Sequence, residues 1–392
     1  MMSYKIYLLI LLGALSAFGP FVTDMYLPSL PSMVDDYNTS VSMVQMGLSF
    51  SMLGLALGQL LFGPLSDKYG RRMPVIVAMV VFCISTLACV FAPTIEVFVG
   101  LRFVQGVSGA GGIVISRSVA TDTFDGHQLL KMLAIIGAIN GIAPITAPVA
   151  GGMIVSSIGW RGIFVVLLVI GVLLAVGSCI MKESLPVERR KSTGVFATFK
   201  LFGVVLRNRT FMCYVLQQAT AQAILFGNIA SSPFIVQTHF GVSATSFGLL
   251  FAVNGVFIGV GAALSARFRK PETCVKVSCI GMLVLSAVMA VLLFGGCNVL
   301  WYEVVLNPLL GFMGLTFTAS TTLALNSERE NAGTASAVFG AIGFMSGGIV
   351  TPLVGQGNML HTTAIVFVVG AILSFLFAAM ARVAQRSTSV SA

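Results

Sequence analysis

Long apolar runs broken by short polar gaps repeat along the whole chain. The runs lack the strict apolar–polar alternation of half-buried strands. A hydrocarbon core of ~30 Å takes ~20 apolar residues per helix. Windows of that size predict twelve spans, at approximately 5–27, 40–62, 74–92, 95–120, 131–155, 160–181, 210–237, 243–265, 273–295, 299–325, 331–356 and 360–381. Lipid leaves backbone polar groups two solutions, a helix or a closed barrel, and unbroken runs of this length fit the helix.

The gaps order the spans. The longest charged break runs from Lys182 to Arg209, with KESLPVERRKS inside it. It divides the chain into a first bundle (1–181), a linker (182–209) and a second bundle (210–392). A short internal repeat supports the split. GPLSDKYGRR (63–72) follows span 2, and AALSARFRK (262–270) follows span 8. Leu65-Ser66 matches Leu264-Ser265, whereas Asp67 faces Ala266. The expected fold is an all-α membrane protein of twelve helices in two pseudo-symmetric six-helix bundles, a transporter architecture.

Composition removes the alternatives. Of 392 residues, 57% are hydrophobic and 9% charged, against roughly 25% charged in soluble domains. That excludes an ordinary soluble enzyme, a disordered chain and a coiled coil. The 42 glycines follow no triplet period, which excludes collagen. The net charge of +9 does not indicate nucleic acid, because the basic residues sit in the gaps. With the N-terminus placed in the cytoplasm, every Lys and Arg except Arg102 and Arg161 falls on the inner side, so both termini are expected to be cytoplasmic. Met1–Gly19 has signal-peptide features, but the run continues through Tyr26 and reads as an uncleaved first span. The seven cysteines form no CxxC pair and read as inert thiols, while the three histidines fall in predicted loops without ligand spacing. No metal site, cofactor or nucleophile–base pair is expected, so no catalytic residue is assigned.

Ionisable residues within the bilayer are costly and persist mainly for function or pairing. Asp24 in span 1 lies ~28 Å from Lys5 along the helix, and Arg102 in span 4 lies ~9 Å from Glu96. The two opposite charges therefore reach a similar depth, in the outer part of one bundle. They form a candidate proton and substrate site, or else an ion pair that locks two helices. Desolvation favours the protonated form of a carboxyl and a nearby cation the ionised form. A carboxyl balanced between them binds proton and substrate at each other's expense, as antiport requires.

In GPLSDKYGRR, Gly63 and Gly70 permit a tight turn. Asp67, Arg71, Arg72 and Asp122 meet at the inner face as a candidate gate, or else the loop anchors topology. Asn140, Pro144, Pro148, Gly151 and Gly152 in span 5 suggest a flexing seam or close packing. Gln217, Gln218 and Asn228 form a polar stripe on span 7, read as cavity lining or interhelical glue. Tyr26, Gln105, Asn140, Phe251, Asn254 and Phe312 are further candidates for the cavity wall. Glu303 is a second titrating site or an interfacial residue.

These strings resemble the major facilitator superfamily, within its twelve-span drug:proton antiporter group. LRFVQGVSGAG (101–111) resembles that family's span 4 motif, with its arginine at Arg102. TDMYLPSLP (23–31), KESLPVERR (182–190) and AGTASAVFG (332–340) together resemble the bicyclomycin/chloramphenicol resistance (Bcr/CflA) subfamily. The span 5 stretch has Ala147 where the antiporter motif has glycine, and span 10 has Thr318-Ala319 where the subfamily often has Pro-Asn. The resemblance implies a multi-pass bacterial inner-membrane exporter of small drugs, driven by the proton gradient without a cofactor. It assigns Asp24 and Arg102 to coupling, and Asp67, Arg71 and Asp122 to the cytoplasmic gate. An importer or uniporter for a small metabolite is the alternative on the same fold. The expected partners are drugs, protons and membrane lipid, with no nucleic acid, and a monomer is the default.

Overall fold

The computed structural model describes residues 2–190 and 202–390. Among them every regular element is helical. The main helices are α1 (Met2–Asp24), α2 (Leu30–Asp36), α3 (Val41–Tyr69), α4 (Arg72–Val90), α5 (Ile95–Thr123), α6 (Gly126–Ile180), α7 (Arg209–Pro233), α8 (Ala244–Leu264), α9 (Pro271–Gly295), α10 (Val299–Asn326), α11 (Ala332–Val354) and α12 (Met359–Val390). Eleven helical stretches of the described residues are long and apolar enough to cross a membrane. One of these, α6, runs for 55 residues and breaks at Gly159, with φ 74° and ψ 179°. A glycine takes that left-handed backbone at no steric cost. Spans 5 and 6 are the two limbs of this one kinked helix, so the eleven stretches hold twelve crossings.

The chain folds as two compact units. One comprises Met1–Thr198 together with Ala244–Leu249, and the other Phe199–Ser243 with Leu250–Ala392. The start of α8 thus belongs with the first unit. Of the expected linker, residues 191–201, with Lys191 and Lys200, lie outside the described residues.

In the first unit α1 buries Leu8, Leu11, Leu12, Leu15, Phe18 and Val22, a stripe at helical spacing. It packs on Val75, Met79 and Phe82 of α4 and on Ile115 and Val119 of α5. Ile6 and Ile10, off that stripe, are exposed. The helices α3 and α5 approach backbone to backbone: a Cβ on Gly106 would strike the Ser51 carbonyl, and one on Gly58 the Val107 carbonyl. Small residues allow this spacing where no hydrophobic effect drives helices together.

Three expectations on turns change. Gly63 does not turn the chain, since α3 continues through Pro64 to Tyr69. The reversal falls on Gly70 alone, at φ 88°. Arg161, placed in an outer loop, lies just past the kink and pairs with Asp36 at 3.3 Å, while Trp160 Nε1 donates to the same carboxylate at 2.7 Å. The histidines fall at helix ends rather than in loops: His127 in the first turn of α6, His239 after α7 and His361 in the first turn of α12.

Candidate functional site

Asp24 is the last residue of α1 and is 6% exposed. Thr23 Oγ1 donates to its Oδ1 at 2.8 Å. Arg102 on α5 is fully buried. The depth argument holds to within two residues, because Arg102 Nη2 donates to the Val22 carbonyl of α1 at 3.0 Å. The alternative, a locking ion pair, does not form: among the described residues no salt bridge involves Asp24 or Arg102. The guanidinium aims at the end of the helix instead of the carboxylate. Its Nη1 donates to Gln105 Oε1, and Gln105 Nε2 donates on to Thr86 Oγ1 at 2.7 Å. Its carbon lies 4.3 Å from the centre of the Tyr26 ring and 5.7 Å from that of Phe164. Arg102 Nε and the Tyr26 hydroxyl are buried without a hydrogen-bond partner among the described residues. Gln105 and Tyr26 thus belong to the shell of Arg102, an ordered cation box beside a separate, buried acid. Such a box can orient a polar or aromatic group, and the acid can take a proton or a cation.

At the far end of α5 the candidate gate residues do converge. Arg71 Nη1 donates to Asp67 Oδ1 at 2.6 Å, and Arg71 Nε to Asp122 Oδ2 at 2.8 Å. Ser66 Oγ accepts from Nη1 at 2.8 Å, and Ser184 Oγ donates to Asp122 at 3.3 Å. Burial opposes the Arg71 charge, but the two carboxylates outweigh it and raise its pKa above the ordinary value. Arg72 Nη2 donates to the Cys179 carbonyl at 2.5 Å.

Sequence reasoning missed Glu183. Its Oε1 accepts from the Arg71 backbone N–H at 2.8 Å, its Oε2 from that of Arg72 at 3.2 Å, and Arg190 lies 3.8 Å away. Burial raises its pKa, but the N–H groups of Leu185, Arg71 and Arg72 and the Arg190 charge outweigh that and leave it below the usual carboxylate value. The start of the linker is thereby tied to the opening turn of α4. The signal was present, since an acid at a helix N-terminus is favoured, but it stands 111 residues away in sequence. A cavity of about 180 Å³ opens beside it, lined by Tyr4, Asp122, Lys182 and Glu183 among others. That is below the ~300 Å³ at which drug-sized pockets begin.

Pro144 and Pro148 sit inside α6 without breaking it. Gly151 and Gly152 are contact points: a Cβ on Gly151 would land on the Met25 carbonyl, next to Asp24, and one on Gly152 would come within 2.5 Å of the Ala244 carbonyl. Asn140 Nδ2 donates to Ser16 Oγ of α1 at 2.5 Å, which ties α6 to α1.

The polar stripe of span 7 splits in the second unit. Gln217 is fully buried and spent on protein partners. Its Nε2 donates to Ser374 Oγ at 2.8 Å and Thr316 Oγ1 at 3.0 Å, and its Oε1 accepts from Ser320 Oγ. It joins α7 to α10 and α12, which corrects its placement on a cavity wall. Asn228 is likewise engaged, accepting from Tyr302 at 3.0 Å. Gln218 is buried with Oε1 unpartnered among the described residues. Phe251 is buried, and Phe312 packs over Gly281. Asn254 turns towards Glu303, which is buried within the protein.

Comparison with known proteins places this geometry. The sequence model of the Major Facilitator Superfamily matches residues 9–352. An uncharacterized MFS-type transporter, YdgK, of Bacillus subtilis (strain 168) is 34% identical over 98% of both chains. A bicyclomycin resistance protein homolog of Haemophilus influenzae is 29% identical over 92% of both. A solved bacterial homolog of the human lysosomal transporter Spinster matches in fold at a TM-score of 0.76, covering 98% of this chain and 97% of that one at 18% identity. With its apolar spans, the chain is a multi-pass protein of the bacterial inner membrane that moves small molecules and is not an enzyme.

Proposed function

We propose that this chain, which belongs to the Major Facilitator Superfamily, exports small amphipathic drugs in exchange for protons. The observation that carries the reading is Asp24, a carboxyl 6% exposed with no ion-pair partner among the described residues. An ionised acid there is costly unless something positive joins it. A proton satisfies that need, and so does a cationic or strongly polar drug. The two therefore compete for one group, which couples their movements in opposite directions. Arg102, held on Val22 and Gln105, presents its remaining donor and the Tyr26 ring to the same region. These supply the amphipathic contacts of a drug: an aromatic face and a hydrogen-bond donor.

Transport then requires the site to open to each side of the membrane in turn. The Asp67–Arg71–Asp122 cluster is the proposed cytoplasmic latch, formed in one phase of the cycle and strained in the other. The two six-helix bundles, divided by the 182–209 linker, are the proposed moving parts. The likeness to the Haemophilus bicyclomycin resistance protein homolog supports bicyclomycin-like compounds among the cargo, and chloramphenicol-like compounds have the same amphipathic character.

The experiment is dye efflux in everted membrane vesicles, using ethidium with and without an uncoupler. Antiport predicts uncoupler-sensitive accumulation, lost in Asp24→Asn. Uncoupler-insensitive movement indicates a uniporter, and normal proton-driven accumulation by Asp24→Asn removes the assignment.

A further inference from the structure

The cluster around Glu303 has no part in the reading above. Glu303 lies just inside α10 and is 8% exposed. Asn307, one turn on, donates from Nδ2 to the Glu303 carbonyl at 2.9 Å and to Glu303 Oε2 at 3.2 Å. Asn254 comes from α8. With its amide oriented so that the nitrogen faces the surrounding acceptors, that nitrogen is 2.8 Å from Glu303 Oε2, 2.8 Å from Asn307 Oδ1 and 3.3 Å from the Leu250 carbonyl. Three acceptors thus surround a nitrogen that carries two hydrogens. A proton on the carboxyl removes the mismatch, because the acid then donates to an amide oxygen of the cluster. With the carboxyl ionised, both amide nitrogens donate to it. Each protonation state therefore finds partners with no movement of either helix.

The electrostatic surroundings point the same way. No salt bridge reaches Glu303 among the described residues. The charges of neighbouring helices lie at the opposite end of the bundle. Glu272 and Lys276 open α9, and at ~1.5 Å per residue even Lys276 is ~28 Å from that helix's end. Arg209 opens α7, Arg267 follows α8, and Arg382 lies late in α12. Other titratable groups lie on the same and adjoining elements. Tyr302 donates to Asn228 on α7, Cys297 is a free thiol in the preceding loop, and His239 and His361 are exposed at helix ends, against Phe240 and Phe294. A buried carboxylate without a cation is among the costlier groups in a membrane, and here only a proton has a prepared place.

We propose that Glu303, held by Asn254 and Asn307, is a second proton-binding site of the transporter, in the second unit and separate from Asp24. The use made of this proton rests on the antiport reading, but its binding does not. A site that fills and empties during the cycle adds a second proton to the one exchanged at Asp24.

The test is the pH-difference infrared spectrum of the full chain in lipid vesicles, for the wild type, Glu303→Gln and Asp24→Asn. The expected result is a protonated-acid carbonyl band that grows as pH falls, is lost in Glu303→Gln and survives in Asp24→Asn. Carbon-13 labelling of glutamate carboxyls separates a glutamate band from the aspartates, and Glu303→Asp, which keeps an acid, should take the band out of the label-sensitive set even if Glu303→Gln folds poorly. The proposal is overturned if Glu303→Gln leaves every titrating band in place. It is also overturned if the Glu303 band is constant across the pH range in which the protein stays folded, or follows sodium at fixed pH. Transport retained by Asp24→Asn alongside a titrating Glu303 band would strike the antiport reading alone.

Discussion

Arg102 shows how one buried side chain is fixed by several weak constraints. It caps the Val22 carbonyl, binds Gln105 and lies over two aromatic rings. A lysine keeps the charge but not the planar fork or the ring stacking. Hydrogen bonds to charged groups are worth ~1.5–3 kcal/mol each. Arg102→Lys should therefore lower ethidium efflux at least about tenfold, with normal amounts of protein in the membrane. Efflux within twofold of wild type would show that the fork is dispensable. Gln217 makes the opposite case. Gln217→Ala removes its side-chain bonds to three hydroxyls on α10 and α12, at about 1 kcal/mol for each bond lost, while Ser374 keeps the Gln217 carbonyl and Thr316 and Ser320 keep each other. The expected outcome is a lower melting temperature with an unchanged ranking of exported compounds. An altered ranking at unchanged stability would return Gln217 to the cavity wall. The sequence made Asp24, Arg102 and Gln217 conspicuous because polar residues are rare in lipid. It did not show which carbonyl or hydroxyl each would find, because those partners come from other helices.

At the scale of elements, span positions were legible and helix faces were not. In α4 the buried Val75, Met79 and Phe82 differ little in hydropathy from the exposed Val77, Val80 and Ile84. Lipid and core are equally apolar, so the pattern marks a span without marking its inner face. Glycines carry the missing information only where backbones touch. Gly151→Ala should destabilise the protein by about 1–3 kcal/mol, since its methyl meets the Met25 carbonyl. Gly63→Ala, with open space around it inside α3, should be neutral or gain up to ~1 kcal/mol from helix propensity. Melting temperatures of the two variants decide both. The docked linker makes a pH-dependent prediction. Glu183 has a folded pKa below its ordinary 4.5, so its contribution is present above that value and is lost as pH falls through the folded one. Glu183→Gln should cost about 1 kcal/mol at neutral pH, as for a lost helix cap. The gap to wild type should close in acid, and a gap of constant size down to that pH would mean the carboxylate charge does nothing there.

For the whole molecule, twelve apolar runs and one long charged break anticipated the crossings. The two limbs of α6 meet in a kink at Gly159, because a single residue at positive φ suffices to turn the chain there. The early part of α8 belongs to the first unit, a division that no loop in the sequence marks. The Asp67–Arg71–Asp122 cluster was legible in the sequence, yet the contacts that Ser184 makes with Asp122 and Glu183 with Arg71 were not, because both stand at the other end of the unit's sequence. The central claim is that drug and proton compete for Asp24. The most direct measurement is proton release from purified, weakly buffered protein when ethidium is added. The account predicts release from the wild type in proportion to dye bound, and none from Asp24→Asn. Equal release from both proteins, or dye binding to the wild type with no proton released, would contradict it.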